Sequence, residues 1–354
     1  MKITVRQITK QLIEMVQEMR LMGLKKTLLY VRRSFIQKFN RYPKMITVEA
    51  SSWCNLNCVF CATRDLKISK HRQKELLSFA EFKKLIDETQ HFCSRINFSL
   101  FGEPLANPEL SRMITYASKK GIFTVVFTNA TLITRDIMHQ LLESGLNRMI
   151  ISFESFEKNL YESTKCGAKQ KQTEQIVRDF VQTRNKHHLK KPQIMLRVVL
   201  TQKNVHAIDT FIKKAKMMHV DAVSFKPLTV WPQGSDAFKE KLIRNFVVEH
   251  QVSRHTRNKN KKFMLRSSKS HCPSLYNPTL LSDGSICLCW YDMLGETMIG
   301  NINNTFFLSL WQKSQKFRQS HMASGKAYSI CKECPGIGAE RFETIYFNAF
   351  SLSF

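Results

Sequence analysis

Apolar residues along this chain fall into two alternating rhythms. Short runs with strand character occur at Met45–Ala50, Ile96–Phe101, Phe123–Thr128, Met149–Phe153, Gln193–Leu200 and Ala222–Leu228. Between them the apolar positions recur every three or four residues, as in Ser78–His91, Pro108–Lys120, Thr134–Ser144 and Asn204–Met218, which is the spacing of an amphipathic helix. Six strand–helix units in series predict an α/β fold, a parallel sheet with right-handed crossovers curled into a partial (β/α)6 barrel over residues 45–232. Chemistry in such sheets gathers at the C-terminal strand ends. Ahead of the barrel, residues 1–44 read as a helical extension, with Ile8, Leu12, Met15, Val16 and Met19, then Leu28, Leu29, Val31, Phe35 and Ile36 at helical spacing until Pro43 ends it. After Trp231-Pro232-Gln233-Gly234 the rhythm stops. Residues 233–354 are expected to form a smaller domain, punctuated by Cys, Gly and Asn and held together by metal more than by its own core.

Composition changes this picture little, charge more. The chain has 354 residues, 43% of them hydrophobic and 10% aromatic, which excludes disorder and fibrous classes. No apolar run approaches the roughly 20 residues of a membrane-spanning helix, and Lys, Arg, Gln and Glu interrupt the N-terminus, so the expected compartment is the cytoplasm. Against 28 acidic residues stand 55 basic ones, a net +27. That excess suits an anionic partner: nucleic acid, acidic lipid or a phosphorylated substrate. Residues 1–45 carry net +9 and residues 239–271 net +8. Solvated basic faces are the plainer explanation.

Ten cysteines in a reducing compartment point to metal or redox chemistry before disulfides. They cluster at both ends. Cys54, Cys58 and Cys61, spaced C-x3-C-x2-C just past the first strand, can hold three irons of a cubane [4Fe–4S] cluster, whereas a closed zinc site needs a fourth ligand. Cys272, Cys289, Cys331 and Cys334 supply four thiolates, enough for either a cluster or zinc. Cys93 and Cys166 read as buried thiols.

The first motif, with Phe60 before its last cysteine, resembles the signature of the radical S-adenosylmethionine (SAM) superfamily. The resemblance runs over about residues 45–230 and implies further roles. Phe101-Gly102-Glu103-Pro104 stands where the family binds the methionyl amine, Glu103 serving as acceptor and Gly102 letting the backbone approach the ligand. Thr128-Asn129 resembles Thr-Asn-Gly, with Ala130 in place of Gly, and Ser152-Phe153-Glu154 matches the residues that meet the ribose hydroxyls. Arg197 is a candidate for the methionyl carboxylate. Lys165 stands where relatives usually carry Arg. The implied reaction is reductive cleavage of S-adenosylmethionine to a 5′-deoxyadenosyl radical that abstracts hydrogen from a substrate carbon. Ser282-Asp283-Gly284, Gly300-Asn301-Ile302 and Leu310-Trp311 around the second cysteine group resemble a SPASM or twitch domain. One auxiliary [4Fe–4S] cluster follows, with Cys289 preferred over Cys287 by the family's G-x4-C spacing.

Three functions fit. A small-molecule enzyme oxidising or epimerising a sugar or polyol would use a single auxiliary cluster as electron acceptor. A peptide or protein maturase is the alternative; such enzymes usually carry two auxiliary clusters and a peptide-recognising N-terminal domain, for which residues 1–45 are too short. A nucleic-acid-binding iron–sulfur protein would explain the charge but not Glu103, Ser152 and Glu154, so nucleic acid is not an expected partner. A reductant such as flavodoxin or ferredoxin is. The basic N-terminal helix suits either a barrel cap, the favoured role, or an anionic membrane surface on the inner membrane face, where a lipid-linked substrate would fit. Trp231, Trp290 and Tyr291 stand near the junction as cavity walls or packing.

Overall fold

The computed structural model describes residues 18–70, 73–248 and 276–324, together with 16, 255–257, 263–265, 272, 329–332, 334 and 343–347. Its centre is six parallel strands, each hydrogen-bonded to the next in chain order: β1 (Met45–Val48), β2 (Arg95–Phe98), β3 (Phe123–Thr128), β4 (Arg148–Ser152), β5 (Gln193–Leu200) and β6 (Ala222–Pro227). This is the partial (β/α)6 barrel. Connecting helices start where the sequence supplies caps. Ser78 and Glu81 form a capping box for Phe79–Thr89, and the Thr134 hydroxyl accepts from the backbone of Ile137 to open Arg135–Glu143. Each helix buries one apolar face against the sheet, for example Phe82, Leu85 and Ile86.

Strands β1 and β2 stop earlier than their apolar runs. Ala50, Leu100 and Phe101 are buried or half-buried in the loops beyond, and Leu100 has φ 138, a conformation no strand contains. The sheet does not end at β6. After the pair β7 (His255–Arg257) and β8 (Phe263–Leu265), strand β9 (Thr279–Leu280) lies parallel to β1 on its free side, followed by antiparallel β10 (Ser285–Cys287) and β11 (Met298–Asn301). Strand β12 (Glu343–Tyr346) closes onto β6. Leu280, Ile286, Ile302, Phe307 and Trp311 belong to the same apolar core as β1, β2 and their helices. The described residues of the C-terminal segment therefore share the main core, where a separate one held by metal was expected.

Gly23, at φ 77, breaks the N-terminal helix that the apolar spacing predicted as continuous. The helix Leu24–Asn40 ends at Arg41 in the left-handed region, ahead of Pro43. It lies across the N-terminal end of the barrel: Arg33 donates to the carbonyls of Gln90, Gly121 and Lys120, and Gln37 to Phe92. Met22 and Tyr30 reach inside, packing on Phe123, Val125, Ile150, Met195 and Ala222. The barrel floor is thus plugged by apolar side chains, which is the capping role. Ile8, Leu12 and Met15, and most of the basic segment 249–271, lie outside the described residues. Among the described residues no helix is long and apolar enough to cross a membrane.

Candidate active site

The loop carrying Cys54, Cys58 and Cys61 leaves the C-terminal end of β1 and is clamped from two sides. On one side the Glu103 amide donates to Trp53 O at 2.8 Å. On the other, the amides of Asn57 and Val59 donate to the carbonyls of Cys166 and Thr164, both at 3.0 Å. Gly102 makes the first clamp possible. A Cβ there would stand 1.9 Å from Ser51 O and 2.7 Å from Trp53 O, so the missing side chain admits the cysteine loop. Asn129 reaches the same loop, its Nδ2 lying 3.0 Å from Asn55 Oδ1 and 3.8 Å from Cys54 Sγ. The following Ala130 has φ 64, which explains the family's Gly at this place; alanine tolerates it at about 1 kcal/mol.

Around the thiols lie the polar ends of the other strands. Glu103 is buried, its carboxylate accepting from Leu105 N, from Thr128 Oγ1 at 2.6 Å and from Asn129 N at 2.8 Å. It therefore ties β2 to β3 as well as standing beside the thiols. Glu154 is also buried and accepts from Val199 N at 2.8 Å, tying β4 to β5. Ser152 and Arg197 are register partners on β4 and β5, and the Arg197 guanidinium lies 4.8 Å over the Phe127 ring. Phe127, Ser152, Arg197 and Lys226 occupy the inward positions above the apolar floor, because Val125, Ile150 and Met195, two residues earlier, and Ala222, four before Lys226, line that floor.

Lys165 joins these groups. It is 2% exposed and donates to Ser152 O at 3.0 Å. Burial pulls its ammonium pKa down, but Cys58, Tyr161, Glu154 and Glu103 outweigh burial and hold the pKa above the ordinary lysine value. Burial in turn raises Glu103 and Glu154 above the usual carboxylate range, with Lys165 opposing. Burial also pushes the thiols up, Cys54 to about 11 and Cys58 to about 12. A lysine so placed is a fixed positive charge among acids and thiols. Lys165→Met should cost about 2 kcal/mol in urea unfolding, and Lys165→Arg markedly less; an unchanged midpoint for the methionine variant would show that the charges do not couple.

The second thiol group also gathers. Cys289 is raised by burial, with Cys334 and Cys272 close enough to add to the effect, and the Cys334 amide lies 3.5 Å from Cys331 O. Cys287 is buried within β10, paired to Thr279 and Met298 on either side. Cys93 is buried; Cys166 is half-exposed, with Arg64 Nη1 at 3.7 Å, and so is not the buried thiol expected. Among the described residues no three His, Cys, Asp or Glu side chains converge tightly enough to ligate one ion. Cys54, Cys58 and Cys61 are near enough to feel one another's charge, as are Cys289, Cys272 and Cys334, and thiolates in such groups are the soft donors that an iron–sulfur cubane takes.

The chain matches the radical SAM superfamily over residues 48–203 and an iron–sulfur cluster-binding SPASM domain over residues 272–335. This is a radical SAM enzyme with a SPASM domain. S-adenosylmethionine and two [4Fe–4S] clusters are the cofactors those domains imply. The enzyme is 34% identical over 112 residues to an AdoMet-dependent heme synthase of Methanosarcina barkeri, covering 32% of this chain and 31% of that one. It is 30% identical over 130 residues to a PqqA peptide cyclase of Bradyrhizobium diazoefficiens, covering 36% and 33%. The chain thus spans about a third of the length of these relatives. In fold it is similar to Streptococcus suis SuiB bound to precursor peptide SuiA, with TM-score 0.61 at 14% identity, covering 87% of this chain and 75% of that one.

The site's mouth was only partly anticipated. Trp231 meets Tyr291 edge-to-face at 5.6 Å between ring centroids, Trp290 packs tilted on Tyr291 at 5.1 Å, and Phe101 lies edge-on to Trp231 at 5.7 Å. Beside them opens a cleft of about 420 Å³, walled by Lys67, Gln233, Asp236, Lys239 and Glu296 among others. Asp65 accepts from both the amide and hydroxyl of Ser235, fixing that wall to the cysteine loop. No motif marks Lys226 or the cleft. The signal for Lys226 is a charge at an inward position of a parallel strand.

Proposed function

We propose that this radical SAM enzyme is a maturase acting on a side chain of a peptide or protein. The observation that carries the reading is the cleft at the junction. Its walls come from the cysteine loop side (Lys67), the linker (Gln233, Asp236) and the SPASM region (Glu296, Ser329), and they offer both cations and acids. Such a polar trough suits an extended chain, whose backbone presents a donor and an acceptor at each residue, better than a compact polyol. The similarity to a peptide cyclase and the fold shared with a peptide-bound enzyme support it. Sequence similarity extends equally to an AdoMet-dependent heme synthase, so the cleft carries the choice, and a peptide partner need not be recognised by a separate N-terminal module.

Within the proposed core, residues 45–232, Cys54, Cys58 and Cys61 would hold the first cluster, and Cys272, Cys289, Cys331 and Cys334 the auxiliary one. Gly102, Glu103, Asn129, Ser152, Glu154 and Arg197 would surround S-adenosylmethionine. When bound, the first cluster and S-adenosylmethionine would supply one-electron, hydrogen-abstracting radical chemistry. The chain's own part is positional. Lys165, Arg197 and Lys226 hold positive charge where a carboxylate would sit, Glu154 and Ser152 offer acceptors, and the aromatic mouth excludes water. The net +27 suits an acidic one-electron donor of the flavodoxin or ferredoxin type.

The test is substrate-dependent release of 5′-deoxyadenosine. Peptides encoded beside the gene should raise it well above the uncoupled rate and should lose mass or gain a crosslink by mass spectrometry. Stimulation by free sugars or aminocyclitols, with none by any peptide, would return the small-molecule reading.

A further inference from the structure

The helix Leu24–Asn40 has two faces, and barrel capping uses one. On the other, Leu24, Leu28, Val31 and Phe35 are exposed by 79%, 63%, 45% and 63%. At 3.6 residues per turn these four share one stripe, about 16 Å long at 1.5 Å per residue. Four large apolar side chains in line on a surface helix mark an interaction face.

Charge identifies the partner. Residues 16–44 contain eight Lys or Arg and a single acid, Glu18, and Glu18 is buried against Arg95. Lys25 and Arg32 are exposed beside the stripe. The helix adjoins more cations at the barrel rim. Lys26 donates to Ser118 O and, lowered first by burial, also feels the charge of Lys191. Exposed Lys119 and Lys190 flank these positions. A second copy of the chain would bring the same cations to the contact and be repelled, and nucleic acid would leave the leucines and phenylalanine wet.

We infer that this face docks on an anionic bilayer surface. The stripe lies at the acyl boundary and the surrounding lysines and arginines lie among the lipid phosphates. The contact is peripheral, since the helix cannot span a bilayer. It sits on the N-terminal end of the barrel, opposite the cysteine loop at the C-terminal strand ends. A docked enzyme presents its mouth away from the membrane, where a soluble peptide arrives and a lipid-linked substrate does not.

Vesicle sedimentation of the reconstituted full chain decides it. Binding should be strong to phosphatidylglycerol–phosphatidylcholine vesicles, weak to phosphatidylcholine alone, and lost as salt rises from 0.1 to 1 M, where the screening length falls from about 10 to about 3 Å. The double variant Leu28→Glu with Phe35→Glu should weaken binding at least tenfold with an unchanged unfolding midpoint, since both side chains are exposed. Ile8→Glu with Leu12→Glu should leave binding intact. Indifference to anionic vesicles would overturn the inference. So would full binding by the Leu28/Phe35 variant, loss confined to the Ile8/Leu12 variant, or a solution dimer that the Leu28/Phe35 variant dissolves while vesicles are ignored.

Discussion

Replacing Cys54, Cys58 and Cys61 together by alanine should lower the iron content of anaerobically reconstituted protein from roughly eight to roughly four per chain, by cubane arithmetic, and should abolish reductive cleavage of S-adenosylmethionine. The three thiols ride on one loop, and no other described cysteine is placed to replace them. Cys166 comes nearest, but it presents its carbonyl to that loop and its sulfur to Arg64. Cys272→Ala or Cys289→Ala should remove the other half of the iron while uncoupled 5′-deoxyadenosine formation persists. Cys287→Ala should change neither count, because its side chain packs inside β10. Cleavage surviving the triple change would defeat the radical reading altogether.

The second large effect is expected at Gly102, where alanine should destabilise the protein by about 3 kcal/mol or more and prevent full loading of the first cluster. The added methyl would collide with backbone at 1.9 Å, and backbone cannot rotate out of the way as a side chain could. Relief would require breaking the Glu103–Trp53 bond, which releases one of the two clamps on the cysteine loop. Denaturant unfolding and iron analysis of Gly102→Ala test this together. Wild-type stability with full iron would mean that the contact is looser than 1.9 Å implies. Unchanged stability with lost iron would place the glycine's role at the ligand instead.

Much of this was legible because it is local. Alternating rhythms placed all six barrel strands, two of them to the residue (Phe123–Thr128 and Gln193–Leu200), since a strand buried on both faces is one apolar run with polar neighbours. β1 and β2 were read too long for the same reason: Ala50 and Phe101 are apolar and buried, but in the loops that shape the site. Cysteine spacing revealed the thiol groups because ligands on one loop are neighbours in sequence. The roles of Glu103 and Lys165 were less legible. Glu103 ties two strands besides facing the thiols, and Lys165 acquires its meaning from Cys58, Glu103 and Glu154, which come from three other loops. The break at Gly23 was hidden by good helical periodicity on both sides, and the pairing of β9 with β1 involves two residues and leaves no pattern at all.

That last pairing bears on how the enzyme is made. Thr47 and Glu49 of the β1 region give their amides to Pro278 and Leu280, and the Glu49 carboxylate accepts from the amide and hydroxyl of Ser282. During vectorial synthesis, one side of β1 stays unpaired until more than two hundred further residues have left the ribosome, an open edge exposed to wrong partners. The loop that carries Cys54, Cys58 and Cys61 grows directly from that strand. Stable seating of the first thiol loop is therefore expected only after residues 278–282 have been made, and a chain that stops before them should show an open β1 edge and poor iron retention.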